Sequence, residues 1–323
     1  MSTRELESTA KAMVAPGKGL LAMDESTPTC KSRFEKMGLE CTGETRRAYR
    51  TMLVTTNGLS EFIGGAILFD ETIRQQTLDG APFATHLADA GIIPGIKVDK
   101  GAKDLAAHPG EKVTEGLDGL RDRLSEYKQI GARFTKWRAV ITIADGIPTR
   151  GCVEANAHAL ARYAALAQEA GLVPIVEPEV LINGDHTIER CSEVSDYTLR
   201  TVFAELAGQR VLLEGMVLKP SMVISGLDCP KRAGVDEVAE QTVRVLRNTV
   251  PASVAGVAFL SGGQTNEEAT AHLNAMHKLG IELPWAVTFS YARALQQPAM
   301  EAWKGNAANV ERATSQVSPI DDD

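Results

Sequence analysis

The feature that most limits what this chain can fold into is a regular alternation of short apolar segments with amphipathic helical ones. Eight segments read as strands: Gly19–Met23, Ile63–Leu68, Ile92–Val98, Phe134–Val140, Leu172–Val176, Leu212–Leu218, Gly256–Leu260 and Trp285–Phe289. They are nearly continuous apolar runs, the pattern of strands covered on both faces, as in parallel sheets. Between them, Val235, Val238, Thr242, Val245 and Leu246 fall on one face of a helix, with Pro251 just past its end. Val153–Ala170 repeats Ala and Leu at similar spacing and stops at Gly171, a residue suited to the left-handed position after a helix. Thr187–Leu206 and Glu267–Leu279 read the same way. Eight strand–helix alternations in 323 residues predict a (β/α)8 TIM barrel rather than an open doubly wound sheet. Thr3–Val14 adds an extra N-terminal helix, and residues 1–310 read as a single domain. The chain turns Asn- and Ala-rich after Trp303 and closes on Asp321-Asp322-Asp323, so 311–323 is expected to be a solvated, disordered acidic tail.

Charge and cysteine usage narrow the function classes. Thirty-four basic and 42 acidic residues give a net charge of −8, which disfavours nucleic acid and anionic membrane surfaces as partners. The five cysteines are scattered with no C-x-x-C, which points to a reducing compartment and away from a zinc knuckle or redox pair. Met1–Ala10 carries Glu5 and Glu7 and no apolar core, so it does not read as a secretory signal. The longest apolar stretch, around Phe62–Phe69, is too short to span a bilayer. The expected location is the cytoplasm.

Several motifs resolve to bland readings. Gly17-Lys18-Gly19-Leu20-Leu21-Ala22 matches a dinucleotide fingerprint in letters only, because a helix precedes it and a strand follows, so it reads as a turn. The six histidines include no H-x-H or H-E-x-x-H, which leaves a histidine-rich metal site unsupported. No G-x-S-x-G elbow occurs.

What remains is charge at the C-terminal ends of barrel strands, where such a fold builds its active site. Asp24 follows the first strand, Lys97 lies on the third, Lys136 and Arg138 on the fourth, Glu177 and Glu179 after the fifth, and Lys219 after the sixth. Ser261-Gly262-Gly263 follows the seventh and Arg293 the eighth. A lone strand-end lysine usually packs its stem and keeps its ammonium in water. Lys219, however, ends an almost wholly apolar run, and burial with a nearby cation (Lys136) would lower its pKa toward a nucleophilic neutral amine. Lys136 and Arg138, two apart, share one strand face, as do Glu177 and Glu179. A carboxylate beside such an amine can shuttle the protons of carbinolamine chemistry, or be a structural ion pair, or both. Asp24 in Asp-Glu-Ser-Thr has the bland alternative of a helix N-cap. The Gly-Gly turn exposes backbone N–H groups that could cradle an anion, with Arg293 in the neighbouring loop, where this architecture commonly binds phosphate.

Seven motifs, in order over about Thr9 to Lys304, resemble those of the class I fructose-1,6-bisphosphate aldolases. They are Leu21-Ala-Met-Asp-Glu-Ser26, Gly95-Ile-Lys-Val-Asp-Lys-Gly101, Lys136-Trp-Arg138, Val173-Pro-Ile-Val-Glu-Pro-Glu179, Leu213-Glu-Gly215 with Leu218-Lys-Pro220, Phe259-Leu-Ser-Gly-Gly-Gln264 and Thr288-Phe-Ser-Tyr-Ala-Arg-Ala-Leu-Gln296. The resemblance implies reversible cleavage of fructose 1,6-bisphosphate to dihydroxyacetone phosphate and glyceraldehyde 3-phosphate, in glycolysis and gluconeogenesis, with no metal or cofactor. It implies Lys219 as the Schiff-base lysine, Glu177 as proton shuttle with Glu179 supporting it, and Asp24 as acceptor of the C4-hydroxyl proton. Lys136 and Arg138 match cations that organise charge, and Lys97 a lysine lining the site. Ser261, Gly262, Gly263, Ala292 and Arg293 match phosphate-binding loops, with Thr29 and Arg33 at a second phosphate contact. The family is usually tetrameric, so a homo-oligomer is expected.

The sequence also departs from the family pattern. Cys30-Lys31-Ser32-Arg33 stands where many members read Gly-Lys-Arg or Ala-Lys-Arg, and Ala292 where some have Gly. Many members carry a tail tyrosine that exchanges the enamine proton, whereas the last tyrosine here is Tyr291, so enamine protonation is expected to be slower or handled by another group. The competing readings are a Schiff-base aldolase for tagatose or sedoheptulose bisphosphate, a non-catalytic scaffold on the same fold, and a metal-dependent aldolase.

Overall fold

A computed structural model describes residues 3–317. Eight parallel strands close into a barrel: β1 (Gly19–Ala22), β2 (Ile63–Leu68), β3 (Ile93–Lys97), β4 (Phe134–Ile141), β5 (Val173–Val180), β6 (Val217–Leu218), β7 (Gly256–Phe259) and β8 (Ala286–Tyr291). Each strand pairs with its neighbours in sequence, and β8 closes on β1 through Leu20↔Ser290 and Leu21↔Tyr291. This is the expected (β/α)8 architecture, with a helix at Thr3–Met13 before the first strand.

The barrel separates two cores by the period of two along each strand. Leu20, Ala22, Ile67, Phe134, Val173, Ile175, Val217 and Ala258 fill the interior together with Leu6, Ala10, Met13 and Val14 of the N-terminal segment, which plugs one end. The alternate residues Leu21, Ala66, Ile96, Trp137, Val176, Leu218 and Val257 face outward into the layer beneath the helices. Glycines make room for the interior: a Cβ at Gly95 would lie 2.2 Å from the Phe134 ring, and one at Gly256 would lie 2.7 Å from Val14 Cγ2. The interior face continues upward by steps of two, from Ala22 to Asp24, Phe134 to Lys136 and Arg138, Ile175 to Glu177 and Glu179, and Val217 to Lys219. The barrel is thus apolar at its plugged end and charged at its mouth.

The helices follow the expected spacing, and their ends have visible causes. Thr149 caps Arg150–Glu169 by accepting from Cys152 N, and Gly171 lies just beyond at φ +73°. Thr187 caps Ile188–Gly208 in the same way. Thr265 and Glu268 form a reciprocal capping box for Asn266–Lys278. Val235–Thr249 buries Val238, Thr242, Val245 and Leu246, while Val235, at the helix start, is exposed.

Two expectations need correction, and one element goes beyond them. Only Val217–Leu218 of the run Leu212–Leu218 is strand, because Leu213–Gly215 makes a 3-10 turn against Leu6 and Gln168. An antiparallel hairpin, Ala102–Asp104 with Lys112–Thr114, was not foreseen; its short, polar strands carry no apolar signal. Residues 311–317 are not the solvated tail expected there: Val310–Thr314 is helical, Ala313 and Val317 are buried, and the helix packs on Gly43–Val54. The remainder of that expectation, 318–323, lies outside the described residues.

Candidate active site

Four charged side chains meet at the barrel mouth, all buried. Lys136 Nζ lies 2.8 Å from Asp24 Oδ2 and 3.1 Å from Glu177 Oε2, and Lys219 Nζ lies 3.3 Å from Glu177 Oε1. The order across the cluster is therefore carboxylate, ammonium, carboxylate, ammonium. Each is delivered by a different strand, β1, β4, β5 and β6, so the spacing depends on barrel closure rather than on any local turn. Asp24 does not cap the following helix; Ser26 occupies that position.

Burial and neighbours push the four groups in different directions. Burial alone would raise the Asp24 carboxyl, but the ammoniums of Lys136, Lys219 and Lys97 outweigh it and bring it down to about 2. Glu177 follows the same logic: burial opposes its charge, while Lys136, Lys219 and Arg138 hold it ionised below the usual range. Burial likewise opposes the Lys136 charge, yet Asp24, Glu177 and Asp99 keep that ammonium above its ordinary value. Lys219 goes the other way. Burial lowers it, and although Glu177 and Asp24 pull upward, the Lys136 charge adds to the lowering. The cluster thus contains a fixed cation, two carboxylates held as bases, and one lysine eased toward its neutral form.

The surrounding residues are also placed by the fold. Glu179 is buried and takes the Arg138 guanidinium through Nε. Lys97 Nζ lies 3.3 Å from Asp99 Oδ1, and the Asp99 carboxylate also accepts from Gly101 N and Arg138 N. The sequence alone gives Asp99 no role, because an aspartate just past a strand reads as loop polarity until its partners are known. Gly262 and Gly263 have φ of +56° and +94°, successive left-handed residues that glycine adopts without penalty. A Cβ at Gly262 would lie 3.7 Å from Glu179 Oε1, so this loop borders the charged cluster. Ser261 is partly buried, and Arg293, exposed, donates to the Gln264 carbonyl at 2.7 Å, joining the two loops. Ala292 precedes the helix Arg293–Trp303 as its N-cap.

On the other side, Arg33 does not stand free: Nη1 is 2.6 Å from Glu25 Oε1 and 3.3 Å from Gln296 Oε1. Thr29 is exposed in Thr27–Glu35, its hydroxyl 3.0 Å from that of Ser26, and Lys31 reaches Glu35 at 3.7 Å. The structure thus joins Asp24, Lys136, Glu177 and Lys219 in one ion-pair chain. Arg138–Glu179 and Lys97–Asp99 are side pairs, and Arg33 and Arg293 lie on separate segments.

This arrangement can free and use a neutral amine: a lysine relieved of its proton by an adjacent carboxylate, next to a second, cation-held carboxylate. Among the described residues, no group of three or more His, Cys, Asp or Glu side chains could hold a metal ion, and no helix is long and apolar enough to cross a membrane.

The comparisons with known proteins agree with one another. A family model described as "Fructose-bisphosphate aldolase class-I" matches residues 5–319. A protein of Xanthomonas campestris named "Probable fructose-bisphosphate aldolase class 1" is 62% identical over 316 residues, 97% of this chain and 94% of its own length. A Dictyostelium discoideum "Fructose-bisphosphate aldolase" is 53% identical over 96% of this chain and 87% of its own. Among solved structures, the fructose-bisphosphate aldolase of Plasmodium falciparum, in a complex with TRAP and a small-molecule inhibitor, superposes with a TM-score of 0.95. It is 48% identical, and the match covers 97% of this chain and 91% of that one. The chain belongs to the class I fructose-bisphosphate aldolases, and is a lyase.

Proposed function

We propose that the chain cleaves fructose 1,6-bisphosphate reversibly through a Schiff base on Lys219. The observation that carries this reading is the buried Lys219–Glu177 contact of 3.3 Å, with Lys136 on the opposite carboxylate oxygen.

Glu177 takes a proton from the Lys219 ammonium, and the freed amine attacks the C2 carbonyl of the open-chain sugar. The same carboxyl returns the proton to the carbinolamine hydroxyl, which leaves as water and gives the iminium. Asp24 then accepts the C4-hydroxyl proton as the C3–C4 bond breaks. The bonding pair passes into the iminium, giving an enamine on Lys219, and glyceraldehyde 3-phosphate departs. Protonation at C3 and hydrolysis release dihydroxyacetone phosphate and restore the lysine. Lys136 supports both carboxylates as bases without itself changing charge. Arg138 and Lys97 line the mouth for an anionic substrate, with Glu179 holding Arg138. One phosphate is taken by the Ser261–Gly263 loop with Ala292 and Arg293, the other by Arg33 with Thr29. The same reading places the enzyme in glycolysis and gluconeogenesis, in the cytoplasm, and as a homo-oligomer.

Coupled triose-phosphate assays with fructose, tagatose and sedoheptulose bisphosphates test it. The expected result is kcat/KM highest on fructose 1,6-bisphosphate, unchanged by chelator and lost in Lys219→Met. Chelator-sensitive cleavage, or a faster rate on another ketose bisphosphate, would overturn it.

A further inference from the structure

Gln296 is fully buried in the first turns of Arg293–Trp303, three residues after Arg293. A polar side chain in that position costs stability unless its groups are bonded, and its bonds reach far along the chain. Its carbonyl oxygen accepts from Tyr49 Oη at 2.8 Å and from Arg33 Nη1 at 3.3 Å. Its amide nitrogen donates to the carbonyl of Ala22, the last residue of β1 and two before Asp24. On the other side of Asp24, the buried Arg50 donates to the Glu25 carbonyl at 2.7 Å, and Arg33 pairs with the Glu25 carboxylate. The backbone carrying Asp24 is therefore tied before by Gln296 itself and after by Arg50, while Arg33, a Gln296 partner, holds the Glu25 side chain.

A glutamine that only filled space would need none of these partners; Met or Leu would fit the volume. Instead, one amide joins β1, Thr27–Glu35, Gly43–Val54 and the helix that starts at Arg293. Three of them carry or lead into the aspartate and both arginines assigned to the two phosphates.

We infer that Gln296 is a positioning residue: it registers Asp24 against Arg33 and Arg293, so that anchoring the phosphates also aims the aspartate at the C4 hydroxyl. The inference rests on the function proposed above. It predicts a split between two half-reactions, because imine formation with dihydroxyacetone phosphate needs Lys219 and Glu177 but no C4 proton acceptor.

The experiment compares wild type with Gln296→Met and Gln296→Asn. Two rates are read: cleavage of fructose 1,6-bisphosphate, and borohydride trapping of dihydroxyacetone phosphate on Lys219. The expected result for both variants is a kcat for cleavage at least tenfold lower, with trapping within twofold of wild type. Equal losses in both rates would show a merely structural glutamine and overturn the inference. So would a change confined to KM, or cleavage at the wild-type kcat. If wild type itself gives no Lys219 adduct, the proposed chemistry fails instead, so the two failures are distinguishable.

Discussion

Lys219 and Lys136 share one carboxylate: Glu177 presents Oε1 to the first ammonium at 3.3 Å and Oε2 to the second at 3.1 Å. The two lysines nevertheless respond in opposite directions. Lys136 has Asp24 as a second carboxylate at 2.8 Å and stays charged, whereas Lys219 has the Lys136 charge nearby and is lowered. Burial opposes both charges, and the balance of neighbouring carboxylates and ammonium separates a permanent cation from a candidate nucleophile.

Lys219 is held at a stability cost. Its folded pKa lies below the unfolded value, so the cost is present at neutral pH and is relieved as pH rises toward the ordinary lysine value. Lys219→Met removes that buried charge, while Glu177 keeps Lys136 and Arg138. The variant is expected to lose activity yet unfold at an equal or higher temperature, higher by roughly 2 °C for each ~1 kcal/mol gained. A scan at pH 7 showing a Tm several degrees lower contradicts this.

Lys136→Met does the opposite. It leaves the buried Asp24 carboxylate without its ion-pair partner and Glu177 paired with Lys219 alone, a change that costs about 3–5 kcal/mol when a buried pair is broken. Activity is expected to fall by about 10²-fold or more, as for loss of an acid–base system. The deficit in Tm should shrink in acid, where the carboxylates are neutral. A deficit independent of pH would show that lost packing, not lost charge, is responsible.

Asp24 sets an acid limit. Its folded pKa of about 2 lies below the ordinary 3.8, so it contributes stability above the unfolded value that disappears as pH falls through the folded one. The contribution is on the order of 2 kcal/mol. Unfolding of Asp24→Asn should therefore lose its dependence on this group between about pH 4 and 2. An acid limb as steep as that of wild type would contradict the assignment.

Gly95→Ala probes the plugged end of the barrel. The new methyl would meet the Phe134 ring at 2.2 Å, and Gly95 pairs directly with Phe134 in the sheet. Overpacking of this kind costs about 1–3 kcal/mol. Phe134→Leu in the same chain should recover part of it, which a double-mutant cycle in denaturant measures as a favourable coupling. Additive losses would mean that the strand shifts instead of the ring.

Much of this was legible in the sequence because barrel strands write themselves as apolar runs and place their functional groups at run ends. Lys219 stands out because it ends an almost wholly apolar run, where burial and a nearby cation favour a neutral amine. The limits were of two kinds. Apolar composition could not separate strand from 3-10 turn at Leu213–Gly215, where the turn is fixed by packing on Leu6. Gln296 and Asp99 carried no signal of their own, since a buried glutamine and an exposed one look alike until distant partners such as Tyr49, Ala22 and Lys97 are brought to them. The helix Val310–Thr314 is hidden for the same reason: its polar composition conceals the buried Ala313, with the buried Val317 just beyond it.

The central claim is that Lys219 is the amine that attacks the sugar carbonyl. Incubation with dihydroxyacetone phosphate and borohydride, with chelator present, followed by peptide mass spectrometry, tests it most directly. One stoichiometric reduced adduct is expected on the peptide bearing Lys219, absent in Lys219→Met. No adduct, or an adduct on Lys136, Lys97 or any other lysine, would contradict it.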